Sequence, residues 1–205
     1  MKRLNVPPTK SALLGLRRQV GFLRQGHDML ERKRELLTRL VHERLAQYRA
    51  LRHEARKSLQ DAYRWLGIAH MRMGSQMLRQ SGLGLKPAIR VSILPRSSIG
   101  VEYPSVTAEA LPLQPVGLMW TDSSFDEARQ RLAQLAVLLA RLGEAESALW
   151  RLLAEQRKTQ KRVNALKYNI IPAYDRVIHH IESSLEEEER NTLFQMKVLH
   201  ERAQG

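Results

Sequence analysis

The sequence predicts an all-α protein: a long antiparallel two-helix coiled coil with a small insert between the helices that contains a β-hairpin. Three observations predict it. Apolar residues recur at alternating three- and four-residue steps near both ends of the chain, the signature of a helix with one narrow buried seam. Between Met77 and Phe125 that periodicity stops, and Gly82, Gly84, Pro87, Pro95, Gly100, Pro104, Pro112, Pro115 and Gly117 punctuate the chain, so no long helix runs through. Aromatic residues make up only 5% of the 205 residues, which suits a thin object better than a thick core.

The first helix is expected within residues 1–79. Pro7 and Pro8 precede it and Thr9 is placed to cap it. Its seam runs through Leu13, Leu16, Val20, Leu23, Leu30, Leu37, Val41, Tyr48 and Leu51, with His27, Arg34 and Arg44 at seam positions and Leu36, Leu40 and Leu45 widening the stripe. From Leu51 through Ala55 to Leu59 the steps become four and four, a stutter that would locally unwind the supercoil, before the pattern resumes at Ala62, Leu66, Ala69 and Met73.

The insert is expected at 80–122, with strands at about 88–94 and 98–104. Ile89, Val91 and Ile93 alternate, as do Ile99, Val101 and Tyr103, and Pro95-Arg96-Ser97-Ser98 reads as the turn between them. Thr121, Asp122 and Ser123 offer caps for the second helix at 123–205, and Asp126 and Glu127 suit the positive end of its dipole. That helix carries Leu132, Leu135, Leu139, Leu142, Leu149, Leu153, Val163, Leu166, Ile170, Tyr174, Val177, Ile181 and Leu185. Pro172 lies inside the pattern, where it removes a backbone donor, so a helix bend is expected there.

Each predicted helix of about 70 to 80 residues would be roughly 100 to 120 Å long at 1.5 Å per residue, and cannot cover its stripe alone. Similar lengths and a short insert favour an antiparallel hairpin. With the ends aligned, residues whose numbers sum to about 205 become neighbours, which sets Glu186, Glu187, Glu188 and Glu189 across from Arg17 and Arg18.

The net charge of +13 is unevenly placed. Residues 1–79 hold 18 Lys+Arg against 6 Asp+Glu, 80–121 hold 3 against 2, and 122–205 hold 13 against 13. The first third therefore faces an anionic partner or an acidic stretch of its own chain. With no cysteine, disulfides, thiolate zinc sites and cysteine nucleophiles are excluded. No export signal is legible, and the longest apolar-rich stretch, Leu132–Ala140, falls far short of the ~20 residues needed to span a bilayer. A cytoplasmic chain is expected.

A phosphate-binding loop is excluded, because Gly82-Leu83-Gly84-Leu85-Lys86-Pro87 fails on spacing and on its proline. The seven histidines form no helical zinc pair: four residues after His42, His53 and His200 come Ala46, Lys57 and Gln204, and His179 and His180 are adjacent. Gly-x-Ser-x-Gly is absent. Consecutive glutamates splay around a helix and do not converge on a cation, and Trp65, Trp120 and Trp150 are isolated packing or anchoring residues. No catalytic, cofactor or metal residue is expected.

Two stretches carry a resemblance. Pro8-Thr9-Lys10-Ser11-Ala12-Leu13-Leu14 and Gly26-His27-Asp28-Met29-Leu30-Glu31-Arg32-Lys33-Arg34-Glu35-Leu36-Leu37 resemble the opening helix of the D subunit of the archaeal and vacuolar-type rotary ATPases. Arg162-Val163-Asn164-Ala165-Leu166-Lys167-Tyr168, Ile171-Pro172, Leu185-Glu186-Glu187 and Glu189-Arg190 resemble its closing helix. The chain departs from the family at Lys167, where an acidic residue is expected, and in the insert.

The resemblance implies a non-catalytic central rotor shaft that transmits torque between an ATP-hydrolysing or -synthesising ring and the membrane ion-translocating rotor, on the cytoplasmic side and peripheral to the membrane. It implies that the paired termini, with Thr9, Lys10, Arg17, Arg18, Arg190 and Lys197, meet the catalytic and nucleotide-binding ring subunits A and B. It implies that the insert, with Ile89, Val91, Ile93, Ile99, Val101 and Tyr103, meets the small F subunit of the central stalk and the cup-shaped subunit above the membrane rotor. ATP, ADP and magnesium would be held by partner subunits and no cofactor by this chain. Two other readings compete, a basic coiled coil that binds nucleic acid and a scaffold or membrane-surface adaptor. Arginines spread along the whole helix oppose the first, and narrow seams in place of a broad apolar face oppose the second.

Overall fold

The computed structural model describes residues 7–116 and 121–204. Gly117 and Trp120 lie outside the described residues. Helix α1 spans Lys10–Leu83, strands β1 and β2 span Ile89–Ser98 and Val101–Ala110, and helix α2 spans Ser123–Ala165. A π-helical turn, Leu166–Ile170, joins α2 to α3, Ile171–Gln204. The chain is thus two long helical arms with a two-stranded antiparallel ribbon between them.

Thr9 caps α1, its Oγ1 accepting the Ala12 N–H at 3.2 Å. The helix outlasts the expected limit at residue 79 but is broken at Gly74, whose φ of 77° and ψ of 161° lie in a region that only glycine adopts freely. The expected stutter is absent. Ala55, Ala62 and Ala69 are buried at seven-residue spacing, Ser58 is half-buried between them, and Leu59 is 40% exposed. The heptad continues through the small residue, and the larger apolar neighbour faces out: position on the helix decides burial before hydrophobicity does. Leu36, expected in the stripe, is likewise 51% exposed.

The hairpin differs from its expected bounds. Both strands have ten residues and the turn is Ile99-Gly100, not Pro95–Ser98. Both turn residues have positive φ, 53° and 73°, as a two-residue type I′ turn requires. Pro95 is tolerated mid-strand because it stands directly opposite Pro104. Counting back from the turn, that pair is one of the non-hydrogen-bonded pairs, where an N–H would point out of the ribbon.

The chain divides into two compact units, residues 1–35 with 157–205 and residues 36–156. In the second, Leu37 and Val41 of α1, Leu149 and Leu152 of α2 and Val101 of β2 form one core cluster. A second cluster there joins Ala69, Phe125 and Ala128, with Trp65, Met73 and Leu78 packed against it. In the first unit the buried residues are Leu16, Val20, Val163 and Ile181, together with Thr159 at 2% exposure. His27 is half-buried in its seam position, Nδ1 3.3 Å from the Asp28 carboxylate.

Pro172 lies within α3, its second residue, and directly before that helix stands the π turn Leu166–Ile170. The Ile171 N–H donates to the Leu166 carbonyl, five residues back. Proline has no N–H, and its ring presses on the carbonyl four residues back, here Tyr168; one wider turn ahead of the ring relieves both problems within the helix.

Candidate functional site

At the paired termini, within the first unit, three ion pairs join α1 to α3. Lys10 Nζ lies 2.7 Å from Glu189, Arg17 2.6 Å from Glu182 and Arg24 3.1 Å from Asp175. Each step of seven residues up α1 is matched by a step of seven down α3, so the pairs mark an antiparallel heptad register. The register differs from the one expected from aligned ends: Arg17 meets Glu182, not the run at 186–189, and of that run Glu189 meets Lys10. The reason is that α1 begins at Lys10 while α3 continues to Gln204, so the two helices are not flush.

Pairs this exposed set register more than stability. Glu189 nevertheless raises the Lys10 pKa, and Lys10 holds the Glu189 carboxyl below its ordinary value, in each case through their hydrogen bond first and their charges second. Arg18, Arg190 and Lys197 are exposed, and Thr9 is engaged as the cap.

The charged residues singled out from sequence are only part of this surface. Leu14, Leu193, Phe194, Met196 and Leu199 are all more than half exposed, Phe194 at 68%. Leu185, Leu193 and Met196 line a groove of about 470 Å³ with Lys10, Glu188, Glu189 and Thr192. Leu193, Phe194, Met196 and Leu199 lie past the level of the Lys10–Glu189 pair, where no helix among the described residues faces them.

In the second unit, the ribbon separates the insert residues into two sets. Val101 and Tyr103 are buried, Val101 in the Leu37 cluster and Tyr103 beneath the Arg44 guanidinium, 5.9 Å from its ring centre. Arg151 donates to the Glu102 carbonyl at 2.9 Å. These residues attach β2 to the helices and present nothing outward. Val91, Ile93 and Ile99 are exposed, as is Leu94, and Ile89 is half-buried. The ribbon has only two strands, so β1 keeps one edge unpaired among the described residues.

Between the insert and α2, Asp122 forms a junction that the sequence alone identifies only as a cap. Its Oδ2 accepts from the Ser124 hydroxyl at 2.6 Å and from Arg72 at 3.0 Å. The Ser124 hydroxyl first, and Arg72 second, hold its carboxyl far below the usual range. Two residues from the Gly74 break, Arg72 thus ties the end of α1 to the start of α2. Arg129 adds a second tie, donating to the Gln114 carbonyl at 2.9 Å and to Asp126 at 3.1 Å.

Among the described residues no three His, Asp or Glu side chains converge as a metal site, and no helix is long and apolar enough to cross a membrane.

Comparison with known proteins identifies the family. The family model described as the ATP synthase D subunit matches residues 12–201. The D subunit of the V-type ATP synthase of Thermotoga neapolitana is 32% identical over 200 residues, covering 97% of this chain and 98% of the relative. The D subunits of the A-type ATP synthases of Pyrococcus furiosus and Methanosphaera stadtmanae are each 32% identical over 198 residues, covering 95% of this chain and 92% of theirs. A match running nearly end to end, over a chain that folds as two helical arms and a ribbon, has one consequence: the protein belongs to the ATP synthase D-subunit family and is a subunit of a rotary ATPase of the V/A type.

Proposed function

We propose that this subunit is the central rotor shaft of its complex, transmitting torque between the catalytic ring and the membrane ion-translocating rotor without itself catalysing a reaction. The observation that carries the reading is the heptad ladder Lys10–Glu189, Arg17–Glu182 and Arg24–Asp175. A shaft must not shear along its own axis. Two helices sharing a seam resist twisting better than one, and charge pairs repeated at every heptad penalise any axial slip, because a shift of one residue separates all three together.

In this reading the paired termini, with Lys10, Arg17, Arg18, Arg190, Lys197 and the exposed Leu193, Phe194 and Met196, sit inside the ring of subunits A and B. Thr9 serves by fixing the start of α1. A charged and apolar surface that differs from side to side biases each ring site between open and closed states as it turns. The exposed side of the ribbon, Val91, Ile93 and Ile99 with Ile89, faces the small F subunit and the cup-shaped subunit, and Val101 and Tyr103 act by holding the ribbon in place. Nucleotide and magnesium belong to the ring, which leaves this chain without a cofactor, peripheral to the membrane on the cytoplasmic side.

The test is to purify the complex through a tag on this chain, identify its subunits by mass spectrometry, and attach a bead to the chain with the ring immobilised. Co-purification of the ring subunits and ATP-driven rotation of the bead are expected. A bead that stays fixed while the ring hydrolyses ATP would overturn the shaft assignment.

A further inference from the structure

The charge asymmetry of the first third is only partly discharged among the described residues. Lys10, Arg17 and Arg24 find carboxylates on α3. Residues 36–79 carry nine Lys+Arg against three Asp+Glu. At about 100° per residue, Arg49, His53, Arg56, Gln60 and Arg64 fall within one sector of α1 about 80° wide, a row roughly 22 Å long. All five are exposed, and the buried Ala55 and Ala62 lie on the opposite side of the helix. Arg52 and Tyr63, the latter 62% exposed, flank the row on one side. Lys57 flanks it on the other, followed by Glu54 and Asp61. None of the side chains of Arg49, Arg52, Arg56, Lys57 and Arg64 has an ion pair or hydrogen bond among the described residues. Like charges three and four residues apart weaken a helix, a cost that Glu54 and Asp61, spaced three and four residues from Lys57 and Arg64, offset in part.

We infer that the outward face of α1 from Arg49 to Arg64 is a docking surface for an acidic segment of another protein subunit. The occupant is a helix of about four turns with carboxylates at three- and four-residue spacing, whose rise matches that of the row. Charge complementarity carries the assignment to an anionic partner. The exposed Tyr63 and Leu59 beside the row supply the apolar contact that an amphipathic protein helix uses. The inference rests on the chain working inside a multisubunit complex.

A photoactivated crosslinker at Gln60, used in the assembled complex, reads the occupant directly. The crosslinked peptide is expected to hold more Asp+Glu than Lys+Arg. Arg49→Glu, Arg56→Glu and Arg64→Glu together are expected to weaken binding of that subunit at least about tenfold and to flatten its salt dependence. Lysines in place of the crosslinked segment's carboxylates should restore it. The neutral Arg→Gln triple variant controls for folding: helical content equal to wild type with intermediate binding supports the docking surface. Crosslinking to a neutral or basic segment, to nucleic acid or to lipid would overturn it, as would equal binding by the reversed variant at every salt concentration. A wild-type chain that assembles with the ring while the reversed variant assembles equally well removes this surface and leaves the shaft reading intact. A wild-type chain that assembles with no ATPase subunit removes both.

Discussion

Ile99 is the only non-glycine residue with positive φ among those described, at 53°. A β-branched side chain in the left-handed region carries a steric cost of roughly 1–2 kcal/mol, and Asn avoids most of it at this position of a type I′ turn. Ile99→Asn is therefore expected to stabilise the ribbon by about 1 kcal/mol, read as about fivefold slower hydrogen exchange of the β1 and β2 amides. Asp122 is the other residue with a measurable signature. Its folded pKa is lowered, so the stability it contributes is complete above its unfolded value of about 3.9 and disappears as pH falls through the folded value. In Asp122→Ala, the stability difference from wild type should be largest near neutral pH and shrink below about pH 4; urea melts across that range check it. A difference independent of pH would assign the residue's effect to packing alone.

At the scale of elements, the register of α1 against α3 is the feature that a single chemical reaction can test. Carbodiimide joins an amine to a carboxylate only where the two touch. It should form an amide between Lys10 and Glu189, 2.7 Å apart, identifiable as one crosslinked peptide by mass spectrometry. The register expected from aligned ends would place Lys10 beyond the four-glutamate run and yield a different peptide. The ribbon shows how an element is held from one strand only. Val101 and Tyr103 commit β2 to the helices, leaving β1 to present Val91, Ile93 and Leu94 outward. The π turn ahead of Pro172 is the helical counterpart, a local change of period that absorbs a missing donor without ending the helix.

For the whole molecule, the proposed shaft role requires torque to pass along helices that contain two defined irregularities, Gly74 in α1 and the π turn at Leu166–Ile170. If the turn gives the shaft the eccentricity by which it biases ring sites, Pro172→Ala removes its cause. That substitution should restore regular helix, raise stability by up to about 3 kcal/mol and lower the coupling between ATP hydrolysis and ion transport. Thermal melting together with coupled ATPase and ion-flux assays measures the two effects separately. A gain in stability with unchanged coupling would show that the irregularity only accommodates the proline. The charge distribution belongs to this scale as well: the excess of residues 1–79 includes three charges answered by α3 and a central row, from Arg49 to Arg64, that faces outward.

Much of this protein was legible in one dimension. Heptad spacing from Leu13 to Leu185, the Thr9 and Asp122 caps and the proline and glycine run between Met77 and Phe125 determine two helices, an insert and their antiparallel pairing, because each is a local property of backbone period and donor supply. Longer-range relations were decided by the tertiary structure. Which carboxylate meets Arg17 depends on where each helix starts, and an offset at the ends moves every pair in the ladder. Whether Ser58 or Leu59 takes the seam, and whether Val101 faces a partner or the Leu37 cluster, depends on helical phase and strand register carried across dozens of residues. Hydrophobicity names candidates for burial; the packing of one element on another chooses among them, since only the face in contact loses its water.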